Sequence, residues 1–368
     1  MKKCFLAMIL FFLLGLNIYV CVHAQDININ INYQEALNSV LKNADDLKNL
    51  EDSMIYLDEK KHKTEETRSE LYVYLNEPLE NITGPFTQII NLSRAIINYE
   101  DQIANYDMQK KILNDTAEYA LRTHLFNINN YERDINLLKN QIELDQKNRD
   151  LLKIKNKIGL ASELDLANLE NNIAQEKNNL SGLNINLKNE KQALNKLLGR
   201  DINLNINIDF NSIPKENFDH DHDIDSYIIN ELNNSPVILI KQKNLNEAEY
   251  NFNSYNNFMD ELESESINNL NKATREYENT KKDLENKILT GYNNLKSLKN
   301  TQQALDLNLK TLEQNYNNNL IKFSYGQISQ NDLDKSKLEI LKTQTDIYKN
   351  INSQAKLIFA LNRSYLLT

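Results

Sequence analysis

The sequence predicts an all-α protein built from two homologous repeats, each a long antiparallel coiled-coil hairpin. Three observations predict it. Helix breakers are scarce, with 7 glycines and 4 prolines in 368 residues, well below ordinary usage. The segments between breakers are far longer than the helices of a compact domain. The chain also repeats itself without a gap: Gly159 falls on Gly326, 167 positions on, and its neighbours follow in the same frame.

The first 24 residues read as a secretory leader. Lys2 and Lys3 precede an apolar run from Phe5 to Val20, and Val22-His23-Ala24 offers small residues at a cleavage site after Ala24. A retained membrane helix is the alternative reading. Tyr19 and Val20 before Cys21 disfavour lipid attachment. Both cysteines, Cys4 and Cys21, lie in this segment. Residues 25–368 therefore hold no disulfide framework and no thiolate metal site. Losing Lys2 and Lys3 takes the formal net charge from −10 to −12. An acidic chain without basic clusters is not built to bind nucleic acid. No later stretch approaches the ~20 apolar residues of a spanning helix.

The first repeat occupies 25–198. Pro78, Gly84 and Pro85 cluster as a break, and Phe86 to Ile158 then reads as one helix of about 110 Å at 1.5 Å per residue. A heptad follows: Leu166, Ile173, Leu180, Leu187 and Leu194 at one core position, and Leu169, Glu176, Leu183, Glu190 and Leu197 at the other. Two glutamates in the stripe require that it face something wetter than a dry core. The linker, 199–226, carries Leu204, Ile206, Ile208 and Phe210 in alternation, the pattern of a short strand. Beyond it, Phe218-Asp-His-Asp-His-Asp223 offers His220 and His222 among aspartates. Their spacing is not that of a structural zinc site, and the segment reads as a solvated acidic loop. The second repeat, 227–368, opens at Asn234-Ser-Pro236 and contains a second long helix, Leu262 to Tyr325.

The repeats share more than aliphatic spacing. Ser162 falls on Ser329, Asp165 on Asp332, Leu166 on Leu333. Both thus contain Gly-x-x-Ser-x-x-Asp-Leu, which is the chemistry of a tight helical hairpin. The glycine ends the incoming helix in the left-handed conformation. The serine caps the outgoing helix, and the aspartate three residues on returns the bond near the positive helix terminus.

This turn resembles that of the TolC family of envelope efflux proteins. The likeness is doubled and ordered. The turn is followed by small and aliphatic residues at heptad spacing that end near Leu197-Leu198-Gly199. Tyr33-Gln-Glu-Ala36-Leu37 and Asn234-Ser-Pro236 are similar to family landmarks. The resemblance spans about Tyr33 to Tyr365. It implies a homotrimer in which three protomers close a hollow helical barrel. It also implies an adaptor protein of the periplasmic (membrane-fusion) type at the hairpin tips and a transporter in the cytoplasmic membrane. The tips would be Gly159, Ser162 and Asp165 in one repeat and Gly326, Ser329 and Asp332 in the other, with Phe323 one turn before the second. Asp332 matches an acidic position of the family's pore constriction. Lys335 stands where some members carry a second acid, which makes the pore charge of this chain its own. The implied location is the cell envelope, outside the cytoplasm.

The sequence also departs from the family. Leu71-Tyr-Val-Tyr-Leu75 and Asn253 to Leu262 are the segments where an outer-membrane barrel would be inserted. Neither approaches the ~9–11 alternating residues of a spanning strand, so little or no β-barrel is expected. The rival function is a non-conducting structural coiled coil of the envelope. An enzyme is not indicated, and no cofactor is implied. No glycine pair suits a phosphate loop or dinucleotide fold, and no nucleophile elbow is present. His62 and His124 are isolated on helical segments and read as ordinary surface or seam residues.

Overall fold

The computed structural model describes residues 29–76, 79–220, 223–255 and 260–367. The leader, Pro78, Asp221, His222 and part of the Asn253–Leu262 segment lie outside them. The described residues fold as eight α-helices: α1 Tyr33–Asn43, α2 Asp45–Leu71, α3 Leu79–Lys157, α4 Glu163–Leu197, α5 Ile224–Asn234, α6 Pro236–Tyr255, α7 Asp260–Ser324 and α8 Gln330–Leu361. Two strands, β1 Ile29–Ile31 and β2 Ile206–Ile208, pair in parallel with Ile29 opposite Ile206. No helix among the described residues is long and apolar enough to cross a membrane.

Each repeat has one plan. A long helix of 79 residues (α3) or 65 residues (α7) spans about 120 or 100 Å. Two shorter segments run along it. α4 packs on α3 beyond the turn at Gly159, and α8 packs on α7 beyond the turn at Gly326. At the other end, α2 packs on α3 and α6 on α7. The repeats meet where α3 packs against α8. There Lys147 reaches Asp334 at 3.4 Å, Lys349 reaches Asp134 at 2.9 Å, and the Arg133 guanidinium lies 3.4 Å from the Tyr348 ring centre.

The repeat frame is visible in the packing. Leu121 and its counterpart Ile288 are both fully buried, as are Ile128 and Leu295, and Leu194 and Leu361. The first two pairs lie midway along the long helices and the third at the ends of α4 and α8, where the two main cores form. One core gathers Tyr33, Ala36, Val40 and Ile213 around α3 and α4. The other gathers Phe218, Tyr227, Ile238 and Phe359 around α7 and α8.

Arg122 ties these cores together. It is 2% exposed, so its charge must be met internally. Its Nε and Nη2 donate to Glu118 Oε1 at 3.1 and 2.9 Å, and its Nη1 donates to the Pro214 carbonyl at 3.1 Å. The guanidinium also lies against the rings of Tyr33 and Phe359. Arg363 adds a second link, pairing with Asp115 at 3.1 Å and Glu216 at 3.0 Å. The linker is thereby held by cations from both repeats.

Local chemistry explains the element ends. Asn32 caps α1 in a reciprocal box with Glu35, at 2.9 and 3.2 Å. Asp45 and Asp46 favour the start of α2, and Pro236 opens α6 at a position where a missing N–H is harmless.

The structure differs from the sequence reading in two places. α3 starts at Leu79 and continues through Gly84 and Pro85. Pro85 lies within its first two turns, where a missing N–H removes one bond near an end already short of partners. Residues Tyr72–Asn76 form a 3₁₀ turn, in keeping with the expectation of no spanning strand there. β1 was not anticipated, although Ile27, Ile29 and Ile31 alternate with asparagines.

Candidate functional site: the hairpin tips

At each tip the incoming helix ends in a Schellman motif. The N–H of Gly159 donates to Asn156 O at 2.9 Å and that of Leu160 to Lys155 O at 2.8 Å. Gly326 and Gln327 repeat this with Phe323 O and Lys322 O at 2.9 and 2.8 Å. The glycines have φ of 76° and 68°, a left-handed backbone that an L side chain disfavours. A Cβ at either glycine would meet nothing within 4 Å. Backbone conformation alone therefore demands glycine there.

The outgoing helices begin with matching capping boxes. Asp165 N donates to Ser162 Oγ at 3.0 Å, and Ser162 N donates to Asp165 Oδ2 at 3.3 Å. Asp332 N donates to Ser329 Oγ at 3.2 Å, and Ser329 N donates to Asp332 Oδ2 at 3.1 Å. In each, the serine hydroxyl also donates to the aspartate at 2.7 Å. These bonds from Ser329, with a smaller contribution from nearby Lys335, hold the Asp332 carboxyl below its usual range. Asp165, Asp332 and Lys335 are all exposed.

Near the tips, α3 and the start of α8 lie side by side. Lys147, Leu151 and Ile154 of α3 and Gln330, Asn331 and Asp334 of α8 line one shallow groove between them. Phe323 is half-exposed at 38% and gives its carbonyl to the Gly326 turn. It is therefore neither a core residue nor a fully presented one.

Sequence reasoning missed the apolar character of the tips. Leu160 is 73% and Tyr325 76% exposed, and Ile154, Ile158 and Leu164 are exposed beside them. The signal was available as isoleucines at Ile154 and Ile158, beyond the end of the heptad core.

The seam glutamates are also placed. Glu190 meets His124 Nδ1 at 2.8 Å and accepts from Asn127 Nδ2 at 2.9 Å. His124 is thus a seam residue with a partner. Glu176 faces Asp145 of α3. In the linker, His220 stacks on Tyr227 with ring centres 4.4 Å apart, and Asp223 caps α5 through Ser226 N at 3.3 Å. These two members of the acidic loop have structural partners; Asp221 and His222 lie outside the described residues. Among those residues no His, Cys, Asp and Glu group is arranged to hold a metal ion.

No protein-family model matches the sequence, and no curated protein is similar to it in sequence. Solved structures do match. The outer membrane channel CmeC of Campylobacter jejuni superposes with a TM-score of 0.61 at 13% identity, over 90% of this chain and 85% of that one. CusC, described as forming a transmembrane channel, gives 0.59 at 12% identity over 92% and 97%. The outer membrane protein VceC of Vibrio cholerae gives 0.53 at 11% identity over 75% of each. The doubled hairpins, their capped tips and these superpositions together give this chain the fold of the TolC-like outer-membrane channels.

Proposed function

We propose that this chain is the conduit subunit of an envelope efflux or export assembly. The observation that carries the reading is the likeness to channel structures over nearly the whole chain. In this reading residues 25–198 and 227–368 act as two equivalent units joined by the linker 199–226. Three copies supply six such units to a closed helical cylinder. The tips, Gly159 to Asp165 and Gly326 to Asp332, form its narrow end and contact a periplasmic-type adaptor together with Phe323. Asp332 and Lys335 set the charge of the constriction. A transporter in the cytoplasmic membrane feeds the assembly. The exposed apolar residues at the tips support a contact role, since an isolated turn gains nothing from presenting Leu160 and Tyr325 to water.

The test is light scattering and negative-stain imaging of residues 25–368. The reading expects a trimer with a stain-filled centre. A monodisperse monomer at micromolar concentration, or a dimeric solid rod, would replace it with the structural coiled coil.

A further inference from the structure

Among the places where the seams of the two hairpins differ, one brings two carboxyl groups together. Between α3 and α4, Glu176 stands one helical turn from buried Ile173, and its carboxyl faces that of Asp145 across the seam. Asp145 Oδ2 accepts from Gln141 Nε2 at 2.8 Å and Oδ1 from Asn148 Nδ2 at 3.3 Å. Glu176 Oε2 is buried without a hydrogen-bond donor among the described residues. An ionised carboxylate only accepts, so two carboxyls bond each other only when one carries a proton.

The surrounding charges do not relieve the pair. On α3, Lys147 is engaged by Glu143 and by Asp334 of α8, and Arg149 by Asp150. On α4, Glu170 is taken by Lys153 of α3, and Lys177 is exposed. At the repeat-related positions between α7 and α8 the residues are Leu312 and Thr343. Thr343 is buried and accepts from Asn308 Nδ2 at 3.4 Å. That hairpin has nothing to titrate there.

We infer that the α3–α4 hairpin is proton-sensitive near neutral pH and the α7–α8 hairpin is not: Glu176 and Asp145 hold one proton across the seam, and its loss loosens the two helices. Burial, then the charge of Asp145, raises the Glu176 carboxyl to about 7. A carboxyl raised in the folded state binds its proton more tightly there than in the unfolded chain. The pair's stabilisation is therefore complete below the ordinary glutamate range and is lost as pH rises through about 7. The affected stretch, Asp145 to Glu176, contains the whole Gly159 tip. One tip of the chain would thus respond to pH near neutrality while its neighbour stayed fixed.

Hydrogen exchange read by mass spectrometry on residues 25–368 tests this, at about pH 5.5 and about pH 8.5 and corrected for intrinsic exchange rates. Peptides from 140–180 should lose protection about threefold or more at the higher pH, with 307–347 unchanged. Glu176→Gln, whose amide donates to Asp145 without titrating, should abolish the difference, and Asp145→Asn should do the same. An equal pH response in both hairpins, or a response that survives in both variants, overturns the inference. The readout involves no transport, so it stands or falls separately from the conduit reading.

Discussion

Gly199 and Gly326 end helices in the same way, and substituting each by alanine should give different results for a reason visible in the structure. Their φ values are 66° and 68°, so the conformational cost of a side chain is common to both, about 1–2 kcal/mol. Restriction of the unfolded chain offsets about 0.4–1 kcal/mol of it. At Gly326 nothing lies within 4 Å of the new Cβ, so the net loss should be about 1 kcal/mol. At Gly199 the Cβ would lie 2.5 Å from Asn43 Oδ1 and 2.6 Å from its Cγ. The Asn43 amide must then swing away. It gives up long bonds to Lys196 O and Leu197 O, at 3.4 and 3.5 Å, which adds about 1 kcal/mol or less. Gly199→Ala should therefore destabilise by about 2 kcal/mol. The assay is urea unfolding followed by circular dichroism, repeated in an Asn43→Ala background to close a double-mutant cycle. In that background the excess should vanish. Equal losses at the two glycines, or an excess that persists without Asn43, would refute the reasoning.

Two further outcomes are expected. Arg122→Ala should destabilise by about 3–5 kcal/mol, because it leaves Glu118 and the Pro214 carbonyl without their buried donor; thermal unfolding against Arg122→Lys would show whether charge alone suffices. Ser329→Ala should weaken the second tip by about 1 kcal/mol and reduce a pH effect that wild type shows, leaving the part due to the backbone N–H of residue 329. Asp332 is depressed by Ser329, so its contribution is present above the ordinary aspartate range and lost as pH falls through its lowered value; exchange rates at residues 326–336 across acid pH would report it.

Most of the fold was legible because its determinants are local and repeated. Gly-x-x-Ser-x-x-Asp-Leu specifies a turn through backbone and cap chemistry alone. The heptad Leu166 to Leu194 specifies which face of α4 meets α3. What escaped depends on contacts between distant segments. Glu176 and Glu190 looked like flaws in a stripe because Asp145, His124 and Asn127 lie 31 or more residues away in sequence. Arg122 gave no sign of being buried, since its partners other than Glu118 come from α1, the linker and α8. Pro85 suggested a break because propensity arguments do not weigh how close a proline lies to a helix start.

The pairing of β1 with β2 bears on the order in which this molecule assembles. Its register joins positions 177 residues apart, and the bond between Asn207 and Asn30 spans the same distance. A polypeptide delivered from its N-terminus would present Ile29–Ile31 early and leave that edge without a mate until Ile206–Ile208 had emerged. Closing so large a loop is entropically slow, and a step of this kind dominates folding rate more than final stability. Helices α1–α4, rich in neighbour contacts, would be formed and waiting. The last event in completing the first repeat would be the arrival of the linker, which inserts Ile206 and Ile213 into an already assembled core.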